Sequence, residues 1–384
     1  MKSEDDKVDF DYNDEQKMLK QGAREFFEKE CPKSLVKQMM EDEKGNPPEL
    51  WKKMAQLGWL GLIYPEKYGG GDGNMIDLIA LEEEMGRACL PGPFLSTVLL
   101  SGLFILHNGS EEQKKELLPR IANGQLILTL ALTEQSDSYE ASAITVEAKA
   151  EKDDYVIDGT KLFVPDAQIA DYIICIARTK KGTKPEDGLT AFLVDRKSPG
   201  ITVTLLKTLA GDKQCEVVFS KVKVAKKNII GKPDQAWSPL QETLQQVKIA
   251  QCAEMVGGAQ RALELAADHA KKRVQFDRPI GSFPVIHHLI ANAMMDVDAC
   301  KFLTYEAAWK YSEGLPCAKE IAMAKAWTGE AYQRTAAMGH QVLGGIGYTM
   351  DGEMHLYFRR AKSGELTLGD GKFHREELAK LLGM

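Results

Sequence analysis

Apolar residues recur with helical spacing from Asp11 to about Asn123, with polar residues between them. One predicted helix ends at Gly58, and a longer apolar stripe follows over residues 75–85. From Gly124 the pattern changes to short runs of β-branched and aromatic residues separated by turn residues. The chain therefore opens with a helical region and continues into a β region.

Six runs in this second region follow one another without helices between them. They cover residues 126–133, 155–164, 172–177, 189–194, 201–206 and 216–224. Strands in such close succession predict a compact antiparallel barrel or sandwich.

Helical spacing resumes near Ser238, which we predict as an N-cap with Pro239 in the first turn and Gln241 completing a capping box. Three long helices are expected, from 238 to about 273, over 284–312 and over 318–338, with a shorter helix at the end. Such helices joined by short loops predict a four-helix bundle. The fold class is thus α+β, with an N-terminal helical domain at 1–124, an antiparallel β domain at 125–235 and a C-terminal four-helix bundle at 236–384.

The charge balance excludes several classes of partner. A formal net charge of −7 argues against a nucleic-acid or membrane-surface binder, which needs a basic face. No apolar run approaches the roughly 18 residues of a membrane-spanning helix, and residues 1–6 are too polar to open a secretory signal. We expect a cytoplasmic protein. The seven scattered cysteines suggest neither disulfides nor a metal site, and we expect small buried side chains.

Two glycine-rich stretches stand out. Residues 64–73 form a loop with no strand before it and no βαβ unit around it, so a helix connection is the better interpretation than a dinucleotide site. Residues 341–347 read Gln-Val-Leu-Gly-Gly-Ile-Gly, a pattern suited to holding a phosphate-bearing ligand.

The order of these regions, together with local strings, resembles the acyl-CoA dehydrogenase family over essentially the whole chain. The strings lie at residues 59–70, 133–134, 158–161, 259–263, 273–276, 279–280, 341–347 and 359–362. The resemblance implies an FAD-containing tetramer that oxidises an acyl-CoA thioester to the 2-enoyl-CoA. It also implies electron-transfer flavoprotein as the partner that takes the electrons.

The resemblance requires a carboxylate that removes the α-proton, and neither usual position has one. The sequence has Leu368 where the family has its glutamate, and Val247 at the alternative position on the long helix. Neither side chain accepts a proton. Glu365 and Asp370 are candidates for a relocated base, and the simpler interpretation makes them solvent-facing acids in a loop.

The implied FAD site is shared between two subunits, and its β-domain half departs from the family pattern. Thr133 is kept, but the glycine-rich continuation is replaced by Gln-Ser-Asp-Ser-Tyr-Glu at 135–140. The usual Trp-Ile-Thr is Phe163, Val164 and Pro165, and proline removes both a hydroxyl and a backbone N–H.

The half donated by the neighbouring subunit is better preserved, although Pro284 replaces a usual glutamine. Arg273 offers a forked cation for pyrophosphate, and Phe276 offers a surface for the adenosine half. Gln341 adds a polar contact, and the glycines after it allow close backbone approach. The residues expected to bind FAD are Thr133, Phe163, Arg273, Phe276, Gln341, Gly344 and Gly345.

This asymmetry suggests one subunit of a heterotetramer whose paralogous subunit brings the catalytic glutamate. A first alternative is a self-sufficient flavoenzyme on CoA thioesters that uses Glu365 or Asp370. A second is a non-redox protein that binds acyl-CoA or acts as a scaffold.

Overall fold

A computed structural model describes residues 11–136, 138–152 and 154–384. The polar opening residues 1–6 lie outside this range, as does Asp137 within the altered stretch at 135–140. The chain divides into two compact units. The first contains the described residues up to Lys33, Asn74–Leu90 and Lys248–Met384, and the second contains Ser34–Gly73 and Pro91–Val247.

Helices occupy both ends of the chain. They are α1 Asp14–Glu30, α2 Lys33–Glu41, α3 Pro48–Gln56, α4 Met75–Ala88, α5 Phe104–Asn108, α6 Glu111–Ala122, α7 Trp237–Lys272, α8 Pro284–Ser312, α9 Ala318–Leu343, α10 Gly345–Tyr348, α11 Met354–Leu366 and α12 Gly371–Leu381. A π-helix, Phe94–Leu103, leads directly into α5. The predicted helix at 284–312 has the bounds of α8.

Local capping explains where several helices begin. The Asn13 side chain accepts a hydrogen bond from the Gln16 N–H at 2.8 Å, and the Gln16 side-chain oxygen accepts one from the Asn13 N–H, which is a capping box. The cap predicted at Ser238 is wrong, because α7 already includes Trp237 and Ser238 therefore lies in the first turn.

The strands are β1 Leu128–Ala131, β2 Glu147–Glu151, β3 Asp154–Pro165, β4 Tyr172–Arg178, β5 Leu189–Asp195, β6 Ile201–Leu206, β7 Gln214–Ala225 and β8 Ile229–Ile230. They form one sheet in the order β6-β7-β3-β2-β4-β5-β8, with β1 added beside β4. Most pairings are antiparallel, as predicted, but β1 and β2 each run parallel to β4. The order helical, β, helical is confirmed.

The core of the second unit lies against this sheet. Alternate residues of β7 are buried over Cys215, Val217 and Phe219, as expected for a strand with one apolar face. They join a cluster that includes Ile157 and Phe192. Burial of large apolar side chains of this kind contributes about 1.5–3 kcal/mol each.

In the first unit, α4 and α7 approach closely through two glycines. A Cβ at Gly86 would lie 1.8 Å from the carbonyl oxygen of Glu254, and a Cβ at Gly257 would lie 1.8 Å from that of Glu83. No real side chain fits such a gap. The two helices are therefore in backbone contact, and α7 also packs with α8 and α9 through Val256, Cys300 and Ala331.

The glycine-rich loop at 64–73 is folded on itself. A Cβ at Gly70 would lie 2.0 Å from the Tyr64 carbonyl oxygen, and one at Gly73 would lie 2.8 Å from that of Leu62. The Tyr64 hydroxyl is buried and donates to the Val98 carbonyl at 2.7 Å. These glycines serve close packing of the chain, which favours the helix-connection interpretation.

All seven cysteines are buried thiols, as expected. Within the described residues, no helix combines the length and the apolar character needed to cross a bilayer.

Candidate functional site

The segment between α11 and α12 has an unusual backbone. Leu368 has φ of 61° and Gly369 has φ of 108°, both in the left-handed region. This conformation is normal for glycine but strained for a leucine, so the surrounding structure must hold it. The segment ends at Asp370, which is the N-cap of α12.

Two buried side chains hold the carbonyl groups of this segment. His374 Nε2 lies 3.0 Å from the Leu368 oxygen. Lys325 Nζ donates to the carbonyl oxygens of Gly364, Glu365 and Gly369, each at 3.0 Å. Lys325 is only 1% exposed, and burial lowers its pKa to about 8. Three acceptors satisfy its three N–H groups, which makes its burial tolerable.

The two candidate replacement acids both have structural partners. Glu365 is buried in α11 rather than in a loop, and its carboxylate lies 2.7 Å from Lys362 Nζ. Asp370 accepts a hydrogen bond from the Phe373 N–H at 2.8 Å and so caps α12. The interpretation of Glu365 as a solvent-facing loop residue is therefore wrong. Val247 is fully buried on α7.

On the second unit, the expected flavin side includes Thr133, Phe163 and Pro165. The Thr133 carbonyl accepts from the Leu162 N–H at 2.9 Å. Phe163 has φ of 51° within an irregular part of the β3–β7 pairing, and its side chain is 56% exposed. Pro165 offers no N–H, and its carbonyl accepts from the Thr129 hydroxyl.

The string Thr133-Glu134 instead contributes to a buried ion pair. Glu134 Oε1 lies 2.7 Å from Lys161 Nζ, and Lys161 has no exposed surface. Although burial opposes it, the Lys161 charge holds the pKa of Glu134 below its ordinary value. Glu134 also accepts from the N–H groups of Thr145 and Val146. Residues from two of the family strings, 133–134 and 158–161, therefore form one buried ion pair within the β region.

On the first unit, Arg273 and Phe276 lie at an exposed hairpin after α7. Its strands are β9 Val274–Gln275 and β10 Arg278–Pro279, and both turn residues, Phe276 and Asp277, have positive φ. Phe276 is 86% exposed and Arg273 is also exposed. An exposed phenyl ring and an exposed guanidinium therefore lie on the same segment.

Gln341, Gly344 and Gly345 lie at the end of α9, and all three are exposed. Gly344 has φ of 62° and ψ of −136°, a conformation that essentially only glycine adopts. A Cβ at Gly344 or Gly345 would meet nothing within 4 Å, so the backbone there is open to an approaching ligand.

These observations test whether the chain fits FAD. The first unit supplies an exposed forked cation, an exposed ring and open glycine backbone, which suit the pyrophosphate and adenosine portions. The second unit lacks the N–H at position 165 and presents Phe163 outward. The residues therefore fit the half of the site that one subunit donates to its neighbour better than the half that holds the flavin ring.

Three family models match the chain in order. They describe the N-terminal domain of acyl-CoA dehydrogenase at residues 13–125, the middle domain at 129–222 and the C-terminal domain at 235–383. The chain belongs to the acyl-CoA dehydrogenase family. Members of this family are FAD-dependent oxidoreductases.

The similarity to relatives and to solved structures extends over almost the full length of this chain. A probable acyl-CoA dehydrogenase of Bacillus subtilis is 30% identical, covering 98% of this chain and 100% of that protein. The butyryl-CoA dehydrogenase of Megasphaera elsdenii has a TM-score of 0.91 at 28% identity, covering 98% of this chain and 100% of its own. The ChsE4–ChsE5 complex of Mycobacterium tuberculosis has a TM-score of 0.89 at 26% identity, covering 98% and 99%.

Sequence reasoning missed the polar groups behind the acyl-CoA dehydrogenase base position: Lys325, His374 and Glu377. One signal was available for Lys325, which stands alone among apolar residues in Ile-Ala-Met-Ala-Lys-Ala at 321–326. A charged residue at such a place either projects outward or has buried partners. No comparable signal marks His374.

Proposed function

We propose that this chain is the subunit without a catalytic base in a heteromeric acyl-CoA dehydrogenase. It takes part in the α,β-dehydrogenation of an acyl-CoA thioester, and the electrons pass to electron-transfer flavoprotein. The observation that carries the proposal is Leu368, a side chain that cannot accept a proton, in a loop whose backbone is firmly held.

The exposed groups of the first unit define what the chain contributes. FAD, when bound, supplies the acceptor for the hydride that leaves the β-carbon. Arg273 pairs with the pyrophosphate of an FAD held mainly by the paralogous subunit, and Phe276 packs against its adenosine half. Gln341, Gly344 and Gly345 complete that contact, because open backbone permits close approach.

At its own acyl position, this chain orients a thioester without reacting with it. We assign the backbone amide of Leu368 to the thioester carbonyl. The catalytic glutamate belongs to the paralogous subunit. A heteromeric architecture has a precedent among the structural relatives in the ChsE4–ChsE5 complex. The tetrameric state and the cytoplasmic location expected from the sequence belong to the same proposal.

Co-expression with a paralogue encoded beside this gene tests the proposal. We expect a mixed tetramer with about one FAD for every two chains, measured by flavin absorbance after denaturation and by native mass. Activity should depend on the glutamate of the paralogue. A homotetramer with one FAD per chain would contradict the proposal.

The same purification separates the alternatives. A yellow chain that is bleached by an acyl-CoA without a partner would favour the self-sufficient enzyme, and Glu365→Gln and Asp370→Asn should then abolish its turnover. A colourless chain that binds acyl-CoA and recovers no partner would favour the non-redox protein. The structural partners of Glu365 and Asp370 give the self-sufficient enzyme no support.

A further inference from the structure

His374 is fully buried behind the Leu368 position, between two oxygen atoms. Its Nε2 atom lies 3.0 Å from the Leu368 carbonyl oxygen, and its Nδ1 atom lies 2.6 Å from Glu377 Oε2. A Cβ at Gly369 would lie 2.8 Å from Nε2, so only glycine lets the ring come this close to the loop.

The two oxygen atoms determine how many protons His374 and Glu377 carry together. A peptide carbonyl only accepts hydrogen bonds, and so does an ionised carboxylate. A neutral imidazole carries one N–H and one lone pair, so it can satisfy only one of the two contacts. Both contacts at hydrogen-bond distance require one proton more than a neutral His374 and an ionised Glu377 contain.

The surrounding charges decide where that proton lies. Lys248 on α7 places its Nζ 3.5 Å from Glu377 Oε2, and Lys325 on α9 binds the Gly369 carbonyl, five residues before His374. Lys248 favours an anionic Glu377, so the extra proton belongs on the imidazole. The remaining charged neighbours are paired or capping: Arg375 with Glu330 on α9, Glu365 with Lys362 on α11, and Asp370 at the N-cap.

We propose that His374, as an imidazolium paired with the Glu377 carboxylate, is a positioning residue that holds the Leu368 carbonyl and therefore sets the conformation of the loop at 366–371. Its two N–H groups donate in opposite directions, one to the loop and one to Glu377. A leucine in the left-handed region is maintained by this contact and by the neighbouring bond from Lys325.

Loss of the proton has a defined structural consequence. A carboxylate is a stronger acceptor than a peptide carbonyl, so the one remaining N–H stays with Glu377. The Nε2 lone pair then faces the Leu368 oxygen, and this contact becomes repulsive. The loop is consequently held at low pH and released as the pH rises.

The pKa of His374 is shifted downward, so the loop is released at or below neutral pH. Burial lowers the pKa of His374, and the charges of Lys248 and Lys325 lower it further, against the hydrogen bond with Glu377. Although burial opposes it, the His374 hydrogen bond and Lys248 hold the pKa of Glu377 below its ordinary value. The proton is therefore lost on the acidic side of the usual histidine range, which lies near pH 6.5.

Nitrogen NMR of protein labelled with ¹⁵N-histidine tests the proton directly. His374→Gln assigns the resonance among the seven histidines. We expect both ring nitrogens of His374 to carry protons at low pH and one to lose its proton in a single transition as the pH rises. A neutral ring from pH 5 upward would overturn the inference. This readout needs neither FAD, nor a thioester, nor a paralogue.

The consequence for ligand binding rests on the proposed function, because it assumes that the loop contacts a thioester. Acetyl-CoA is a suitable probe, since it has no β-carbon to oxidise. With the heteromer, its affinity should fall about tenfold as His374 loses its proton, the effect of one charge-assisted hydrogen bond. Affinity that is flat across the NMR transition would overturn the positioning role.

Glu377→Gln supplies the matched variant. Its amide can donate to Nδ1, which lets a neutral imidazole keep its N–H on the Leu368 carbonyl, so the pH dependence of binding should disappear. Glu376→Gln, at an exposed neighbouring position, should keep the wild-type profile. An unchanged profile in Glu377→Gln would contradict the inference. If no variant binds acetyl-CoA while the NMR transition is present, the proposed function fails and the positioning pair stands.

Discussion

In the first unit the departure at the position of the catalytic base is one side chain, Leu368, in a loop whose carbonyl groups still have buried donors. In the second unit the departure involves the backbone itself, because Pro165 has no N–H and Phe163 faces outward with a positive φ. The first kind of loss leaves the backbone of the loop in place. The second kind removes a backbone donor.

The largest effect should come from removing a donor behind the Leu368 loop. Lys325→Ala leaves three carbonyl oxygens without their shared partner, and we expect the free energy of unfolding to fall by roughly 3 kcal/mol or more. Urea unfolding measures it. Lys319→Ala, an exposed lysine on the same helix, is the control and should change little. Equal effects would mean that the loop is not held as described.

A smaller effect is expected at the exposed surface of the first unit. Arg273→Ala should weaken FAD retention by the mixed tetramer about tenfold, since one charge-assisted contact with pyrophosphate is lost. Its stability should be unchanged, because the side chain is exposed. Flavin release during dialysis provides the measurement, and Lys272→Ala is the matched neighbour. Normal retention by Arg273→Ala would show that this surface serves another purpose.

Under the proposed function, the flavin side of the second unit should tolerate substitution. Phe163→Gly relieves a strained backbone and removes an exposed ring, so stability should change by less than about 1 kcal/mol. The flavin count of the mixed tetramer should stay the same. Phe219→Ala in the same sheet removes a buried ring and should cost about 3–5 kcal/mol. A loss of flavin in Phe163→Gly would show that this half still binds.

The last prediction is that one substitution produces no gain in turnover. Leu368→Glu restores a carboxylate at the family position, and a working general base contributes about 10²–10⁴-fold to rate. We nevertheless expect no added turnover by the isolated chain, because under the proposed function the paralogous subunit holds the flavin ring. Leu368→Gln is the uncharged control in a dye-reduction assay. A clear gain in Leu368→Glu alone would break the contrast between the two units.

Periodicity predicted the long helices and the six main strands because each carries its own pattern of apolar residues. It missed β2, whose sequence Glu-Ala-Lys-Ala-Glu is mostly exposed and has no β-branched residue. That strand exists because β3 offers it a partner along its length. Nor does a local pattern show that β1 runs parallel to β4.

Some residues of the candidate site were likewise predictable from the sequence, and the roles of others were not. Leu368, Arg273 and Phe276 were identified because they occupy positions in recognisable strings. The roles of Glu365 and Asp370 depend on Lys362 and on the start of α12, and the role of His374 depends on two oxygens that it meets only after folding. Hydrogen-bond partners of this kind are determined by the fold and leave no periodic pattern in the sequence.

The paired glycines of α4 and α7 limit which substitutions these two helices tolerate. Gly86 and Gly257 each admit a carbonyl of the opposite helix, so enlarging either one pushes both helices apart. A library that randomises α4 must leave position 86 fixed. Grafting α4 from a relative would require the facing turn of α7 as well.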